Sequence, residues 1–143
     1  PGMYKKLSDE LTIPILSPEI AAGSIYTRFD WIARGAADMT RIDVLRGGIT
    51  GCMKMAAIAE AAGVRCEMHM SGFANLQVLG ATSEDVCEYY ERGLLAPEVE
   101  YDVPQPYLNA ICDRMDSDGN VTVPTGPGMG YDINWDYIED NTL

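Results

Sequence analysis

Four ionisable side chains, Glu19, Asp43, His69 and Glu91, each close a short, mostly apolar stretch, and steps of 24, 26 and 22 residues separate them. His69, the only histidine, ends Val64–Met68; Asp43 ends Met39–Ile42; Glu19 follows Ile13–Pro18; Glu91 follows Val86–Tyr90. A carboxylate against one imidazole nitrogen fixes the tautomer and raises the basicity of the other nitrogen. Such a pair can remove a proton beside a carboxylate. Asp43 and His69 are the first candidates, and the reading expects them within roughly 3–4 Å, hydrogen-bond reach with slack. Glu19 is the type of oxygen ligand that Mg²⁺ takes, although one glutamate is not a site. A carboxyl at Glu91, held protonated, would donate a hydrogen bond to a developing enediolate oxygen; Glu88 is its competitor. Plainer readings stay open at this level: a capping Asp, an unrelated buried His, a turn carboxylate at Glu19, and a surface Glu91 paired with Arg92.

The elements that must position these groups follow from periodicity and punctuation. Lys5–Leu11 reads as the tail of a helix that packs on something, which suggests the later part of a longer protein. Ile13–Leu16, Met39–Asp43, Val64–Met68 and Val86–Tyr90 read as buried strands. Between them lie three predicted helices: from a Ser24 cap to about Arg34, from a Thr50 cap over Met53–Ala62 to the stop at Gly63, and over Phe73–Leu79. Strands alternating with helices at this pitch imply a parallel sheet, and in a closed parallel β/α barrel the active site gathers where the strands end. From about Gly93 the texture changes. Five prolines break the chain, 110–115 and 120–123 suggest a β-hairpin, and 134–139 a last short helix.

Composition limits the function classes. The chain has 143 residues, 47% of them hydrophobic, enough for a globular core. A net charge of −12 argues against a nucleic-acid phosphate track, which needs clustered Lys and Arg. No run of 18 apolar residues suggests a membrane span, and the chain does not open on a signal-peptide pattern. The four cysteines form no Cys-x-x-Cys pair. Reduced thiols in a cytoplasmic protein are therefore expected, rather than disulfides or a zinc site. Asp116-Ser117-Asp118-Gly119-Asn120 fails the calcium-loop register and reads as a hairpin turn. Gly126–Gly130 lacks the lysine of a phosphate loop.

Several pieces together resemble a known family. Asp43-Val44-Leu45-Arg46-Gly47-Gly48-Ile49-Thr50-Gly51, the helix carrying Ala59-Glu60-Ala61, and Cys66-Glu67-Met68-His69 resemble the mandelate racemase branch of the enolase superfamily. Ile13–Glu19 is similar to that branch's last metal-ligand strand. Tyr89–Leu95 and Pro127–Gly130 with Ile133-Asn134 are similar to its acid-sugar dehydratases. The resemblance implies an α/β fold: the C-terminal half of a (β/α) TIM-type barrel over residues 1–95, then a tail over 96–143 that packs on a lid domain. It implies Mg²⁺-assisted removal of the proton α to a carboxylate of a small sugar acid, through an enediolate, with loss of the β-hydroxyl. Glu19 would be a metal ligand, Asp43 and His69 the proton-transfer dyad, and Glu91 the acid on the oxyanion side. The remaining ligands, a lysine-bearing strand and the lid would lie upstream, in the N-terminal half of the same enzyme. A racemase or epimerase on the same scaffold is the alternative activity, and a truncated non-catalytic remnant acting in assembly is a third reading. Residues 1–143 alone are expected to be inactive, with exposed edges that favour association, and a homo-oligomer is expected for the enzyme.

Overall fold

The structure is a computed structural model that describes residues 1–18, 25–69, 74–92 and 102–143. It divides into two compact units, Pro1–Glu91 and Arg92–Leu143.

The first unit is built around a parallel pair, β1 (Met39–Ile42) and β2 (Arg65–Met68), in the register Met39↔Arg65 to Ile42↔Met68. A parallel bridge joins Leu16 to Met39 on one side, and another joins Met68 to Tyr90 on the other. Four extended segments therefore lie side by side in chain order, as expected. Regular ladder, however, is confined to the central two, and the backbone chemistry of the flanking segments explains it. Pro14 has no N–H to offer a ladder. The amides of Val86 and Cys87 are already committed to the Ser83 carbonyl, 3.0 Å away in each case.

The connections are helical: α1 (Gly2–Glu10) leads in, α2 (Ile25–Ala33) precedes β1, α3 (Val44–Ala62) joins β1 to β2, and α4 (Asn75–Gly80) follows β2. Side chains alternate across a strand. Thr40, Ile42, Cys66 and Met68 turn one way and are buried, and the last three join Cys52, Met55, Ala56 and Ala59 of α3 in the core. Met39, Arg41, Arg65 and Glu67 take the other positions and stay partly exposed or exposed. The sheet thus has an apolar face covered by helices and a charged face.

α3 starts earlier than the expected Thr50 cap. Asp43 is the cap, its side chain accepting from the Leu45 amide at 2.9 Å. One turn later the helix kinks at Gly48, whose φ of 64° and ψ of 168° suit glycine. Gly63, left-handed at φ 66°, ends the helix as expected. Cys52, Cys66 and Cys87 are buried free thiols and Cys112 is a half-buried one.

In the second unit the hairpin reduces to one antiparallel bridge, Met115↔Val121. Asp116 makes that turn, its carboxylate accepting from the amides of Asp118 and Asn120. A second bridge, Leu108↔Ile133, leads into α5 (Trp135–Asp140), which Asn134 caps through the Tyr137 amide. Among the described residues no helix is long and apolar enough to cross a membrane.

One carboxylate ties the first flanking segment to β1. Asp38 accepts from the Ser8 hydroxyl of α1 and from the Ile15 amide at 2.7 Å. These hydrogen bonds hold its pKa below the ordinary carboxylate value. A depressed carboxyl stabilises the fold above its unfolded pKa of about 3.9, and that stability is lost as pH falls through the lower folded value. Asp38→Ala should therefore cost about 1 kcal/mol at pH 7, a hydrogen-bond contribution discounted for exposure. In urea titrations the gap between variant and wild type should close in acid; a gap unchanged at pH 2 would rule this account out.

Candidate functional site

Parallel register places Asp43 and His69 alike. Each follows directly on the last residue of its strand, and Ile42 pairs with Met68. The His69 amide donates to the Ile42 carbonyl at 2.9 Å, so the two strand ends are stitched one residue short of the candidate side chains.

Asp43 is buried, and its carboxylate is held from three sides. Oδ1 accepts from the Leu45 amide at 2.9 Å and faces Asn75 Nδ2 at 3.3 Å, while Oδ2 lies 3.9 Å from Arg46 Nε. The capping role left open above is thus one of its roles. Asn75, only 1% exposed at the start of α4, is the joint between the two strand ends. Its Nδ2 also donates to the His69 carbonyl at 3.0 Å, and its Oδ1 accepts from the Val44 amide at 2.9 Å. The link described between Asp43 and His69 therefore runs through the Asn75 amide to the His69 backbone.

A second carboxylate approaches the imidazole. His69 Nδ1 lies 3.4 Å from Glu91 Oε2, longer than a tight hydrogen bond but within ion-pair reach. The same oxygen lies 3.5 Å from Arg41 Nη2. Both are ion-pair distances rather than hydrogen bonds. Glu88, the competitor, ion-pairs with Arg65 at the start of β2, roughly 13 Å of extended strand before His69. Arg92 bonds Asp102 and the Asp113 carbonyl.

Around this group the charged face of the sheet continues. Arg41 is opposite Glu67 in the register. Burial, first, raises the Glu67 pKa; the neighbouring charges of Glu88 and Glu91 add to it, and Arg41 and Arg65 oppose it. Arg28 of α2, itself buried, donates from Nε to the Arg41 carbonyl at 2.8 Å. Its own pKa is lowered by burial foremost, with Arg46 contributing.

Glu19, the expected metal ligand, lies outside the described residues. Among the described residues no group of three His, Cys, Asp or Glu side chains could hold a metal ion. The described donor set therefore does not by itself fit Mg²⁺.

Arg41 and Asn75 were not among the sequence candidates. Arg41 carried a signal: it precedes Asp43 by two residues, and period 2 puts both on one strand face. Asn75 carried none, because a lone Asn inside an apolar run reads as helix interior.

A family model described as enolase C-terminal domain-like matches residues 1–137. The chain belongs to this family. It is similar to D-glucarate dehydratase from Agrobacterium tumefaciens, whose crystal structure is a magnesium complex, with 46% identity and a TM-score of 0.92 over 99% of this chain and 37% of that one. Among curated proteins it is 28% identical to the D-galactarolactone cycloisomerase of Agrobacterium fabrum, over 96% of this chain and 38% of the relative. It is 27% identical to the D-galactonate dehydratase of Xanthomonas campestris pv. campestris, over 95% of this chain and 36% of the relative. The chain thus spans little more than a third of the length of these relatives. The fold is a C-terminal barrel portion of an enolase-superfamily protein of the mandelate racemase branch, and its four parallel segments with their helices are that part of the barrel.

Removing the joint tests the arrangement. Asn75→Ala leaves the part-buried Val44 amide without its Asn75 partner and releases the His69 carbonyl, and should destabilise the chain by about 1–3 kcal/mol in chemical denaturation. Asn75→Leu should do no better, since it leaves the same groups unpaired. A cost below 0.5 kcal/mol, roughly the scale of an ordinary surface substitution, would show the joint to be dispensable.

Proposed function

We propose that this chain is the part of an acid-sugar dehydratase that carries its proton-transfer group. The observation that supports this most directly is the imidazole of His69, the only histidine, at a strand end with a carboxylate oxygen 3.4 Å from Nδ1. An imidazole at a strand end beside a carboxylate can exchange a proton with substrate through a ring nitrogen. The substrate class, a sugar acid, comes from the dehydratases to which the chain is similar.

On this reading the hydrogen on the carbon α to the substrate carboxylate leaves as a proton, and its electron pair forms an enediolate. That pair then expels the β-hydroxyl, which takes a proton and departs as water. The enol that remains tautomerises to a 2-keto-3-deoxy acid. His69 supplies the proton exchange, either taking the α-proton or protonating the departing hydroxyl. Asp43 and Asn75 hold the strand ends that present His69. Glu91, given the oxyanion-side acid role by the family resemblance, faces the His69 ring in this arrangement.

Mg²⁺ belongs to the proposal through the magnesium complex of the similar dehydratase and through Glu19. Glu19 would be one of the residues holding such an ion, which would supply positive charge beside the substrate carboxylate.

The second reading is racemisation or epimerisation on the same scaffold. Products separate the two, because only dehydration yields a 2-keto acid. In the complete enzyme, His69→Asn should keep the fold and lower turnover of its sugar acid by about 10²–10⁴-fold, the span of general acid–base catalysis. Asp43→Asn should act in the same direction. Wild-type rates of 2-keto acid formation in His69→Asn would refute the assignment.

A further inference from the structure

We propose that Cys66 and Cys87 form a redox switch: a peroxide joins them as a disulfide that ties β2 to the segment carrying Glu91, and reduction releases it.

Three observations carry it. The first is placement. The Cys66 amide donates to the Val86 carbonyl at 2.7 Å, which in a parallel arrangement sets Cys66 beside Cys87. Neighbouring strands lie about 4.8 Å apart, inside the roughly 4.4–6.8 Å between Cα atoms that a disulfide spans. The second is side-chain contact. Both cysteines belong to one core cluster, and their thiols are hydrogen-bonded to each other. Cys52 shares that core from α3, but burial pushes its thiol up to about 11, so it keeps its proton. The third is access. Val86 and Cys87 are buried between exposed residues, Glu84 and Asp85 before them and Glu88 and Tyr89 after. Among the described residues one bridge, Met68↔Tyr90, joins this segment to β2. So short a plug opens locally at lower cost than the helix-covered strands, and admits a molecule as small as hydrogen peroxide.

The pair is also unequal. Its hydrogen bond, with burial, pushes the Cys66 thiol up, whereas the same hydrogen bond holds Cys87 below the ordinary thiol value against burial. Cys87 is therefore the nucleophile. Its sulfur attacks one peroxide oxygen, the O–O bond breaks, and Cys87 becomes a sulfenic acid while the other oxygen leaves as water. The Cys66 sulfur then displaces the sulfenic hydroxyl, forming the S–S bond as a second water departs. The two thiols give up their hydrogens and two electrons, and the peroxide is reduced to water.

Hydrogen-bonded sulfurs must approach by roughly 1.5–2 Å to form a disulfide. Cys66 precedes His69 by three residues and Cys87 precedes Glu91 by four, so the movement reaches the strand ends. That consequence rests on the reading of His69 as the proton-transfer group; the link itself does not.

To test the switch, the complete enzyme is treated with hydrogen peroxide and denatured. Its free thiols are alkylated without reduction, and its peptides are mapped by mass spectrometry. Cys66 and Cys87 should be recovered mostly as one unalkylated, linked pair, and dithiothreitol should return both as free thiols. Turnover should fall in step with the link by about tenfold or more, since ångström-scale misplacement at a site can cost about 10²-fold. Dithiothreitol should restore it, which it does not do for oxidised methionine. Cys87→Ser should keep its turnover through the same treatment; if that variant does not fold, the wild-type map and its reversal decide. A link through Cys52, a sulfinic acid at either cysteine without a link, or a link that leaves turnover unchanged would each overturn the proposal. An enzyme that forms no 2-keto acid before oxidation would instead remove the dehydratase reading, and the map would still test the link.

Discussion

The parallel register of β1 and β2 is the constraint on which the rest depends. Pairing Ile42 with Met68 brings the two strands to an end at one level, and the His69 amide closes the last link on the Ile42 carbonyl. A slip of one residue would turn His69 toward the helices and bring Met68 to the charged face, because side chains alternate with period 2. Burial of Thr40, Ile42, Cys66 and Met68 resists that slip. The apolar packing of α3 therefore does more than stabilise the unit: it selects which strand face carries Arg41, Glu67 and His69.

Beyond the strands, order at the site comes from buried polar groups whose partners are specified. Asn75 is fully enclosed and uses both ends of its amide, joining the first turn of α3 to both strand ends. A buried amide with its partners in place fixes a single arrangement, whereas an apolar side chain of the same size would leave several groups unpaired. Asp43 combines two duties for the same reason. As a helix cap it gives α3 its start, and as an acceptor for Asn75 it ties that start to the residue after β2. Gly48 lets α3 turn away one turn later, in a conformation that suits glycine.

Membership of the enolase C-terminal domain-like family gives this arrangement its frame. In a barrel the charged sheet face looks inward and the strand ends form the working rim. Arg41, Glu67, Glu91 and His69 lie on or beside that face, where carboxylates and nitrogen bases in a confined space set one another's protonation and orientation. The relatives share little more than a third of their length with this chain, so the site described here is the portion that this stretch of polypeptide builds.

Much of this was legible in the residues. Alternating apolar stretches and helical runs announced a parallel strand–helix repeat, the spacing of Asp43, His69 and Glu91 announced a common rim, and Asp43 with Gly47-Gly48 pointed to the family. Such features are local or periodic, so each short stretch carries its own signal. The true helix cap, the single-bridge flanking segments and the shortened hairpin were less legible, because they depend on which backbone amides find partners elsewhere. The partners of the imidazole were decided only in three dimensions. Sequence spacing places Asp43 and Glu91 equally well beside His69, about one strand–helix unit before and after it. Only the fold directs Asp43 to the amides of α3 and to Asn75, and sets Glu91 between Arg41 and the ring. Side-chain direction at a strand end depends on competing donors brought from distant parts of the chain, and no local pattern encodes that competition.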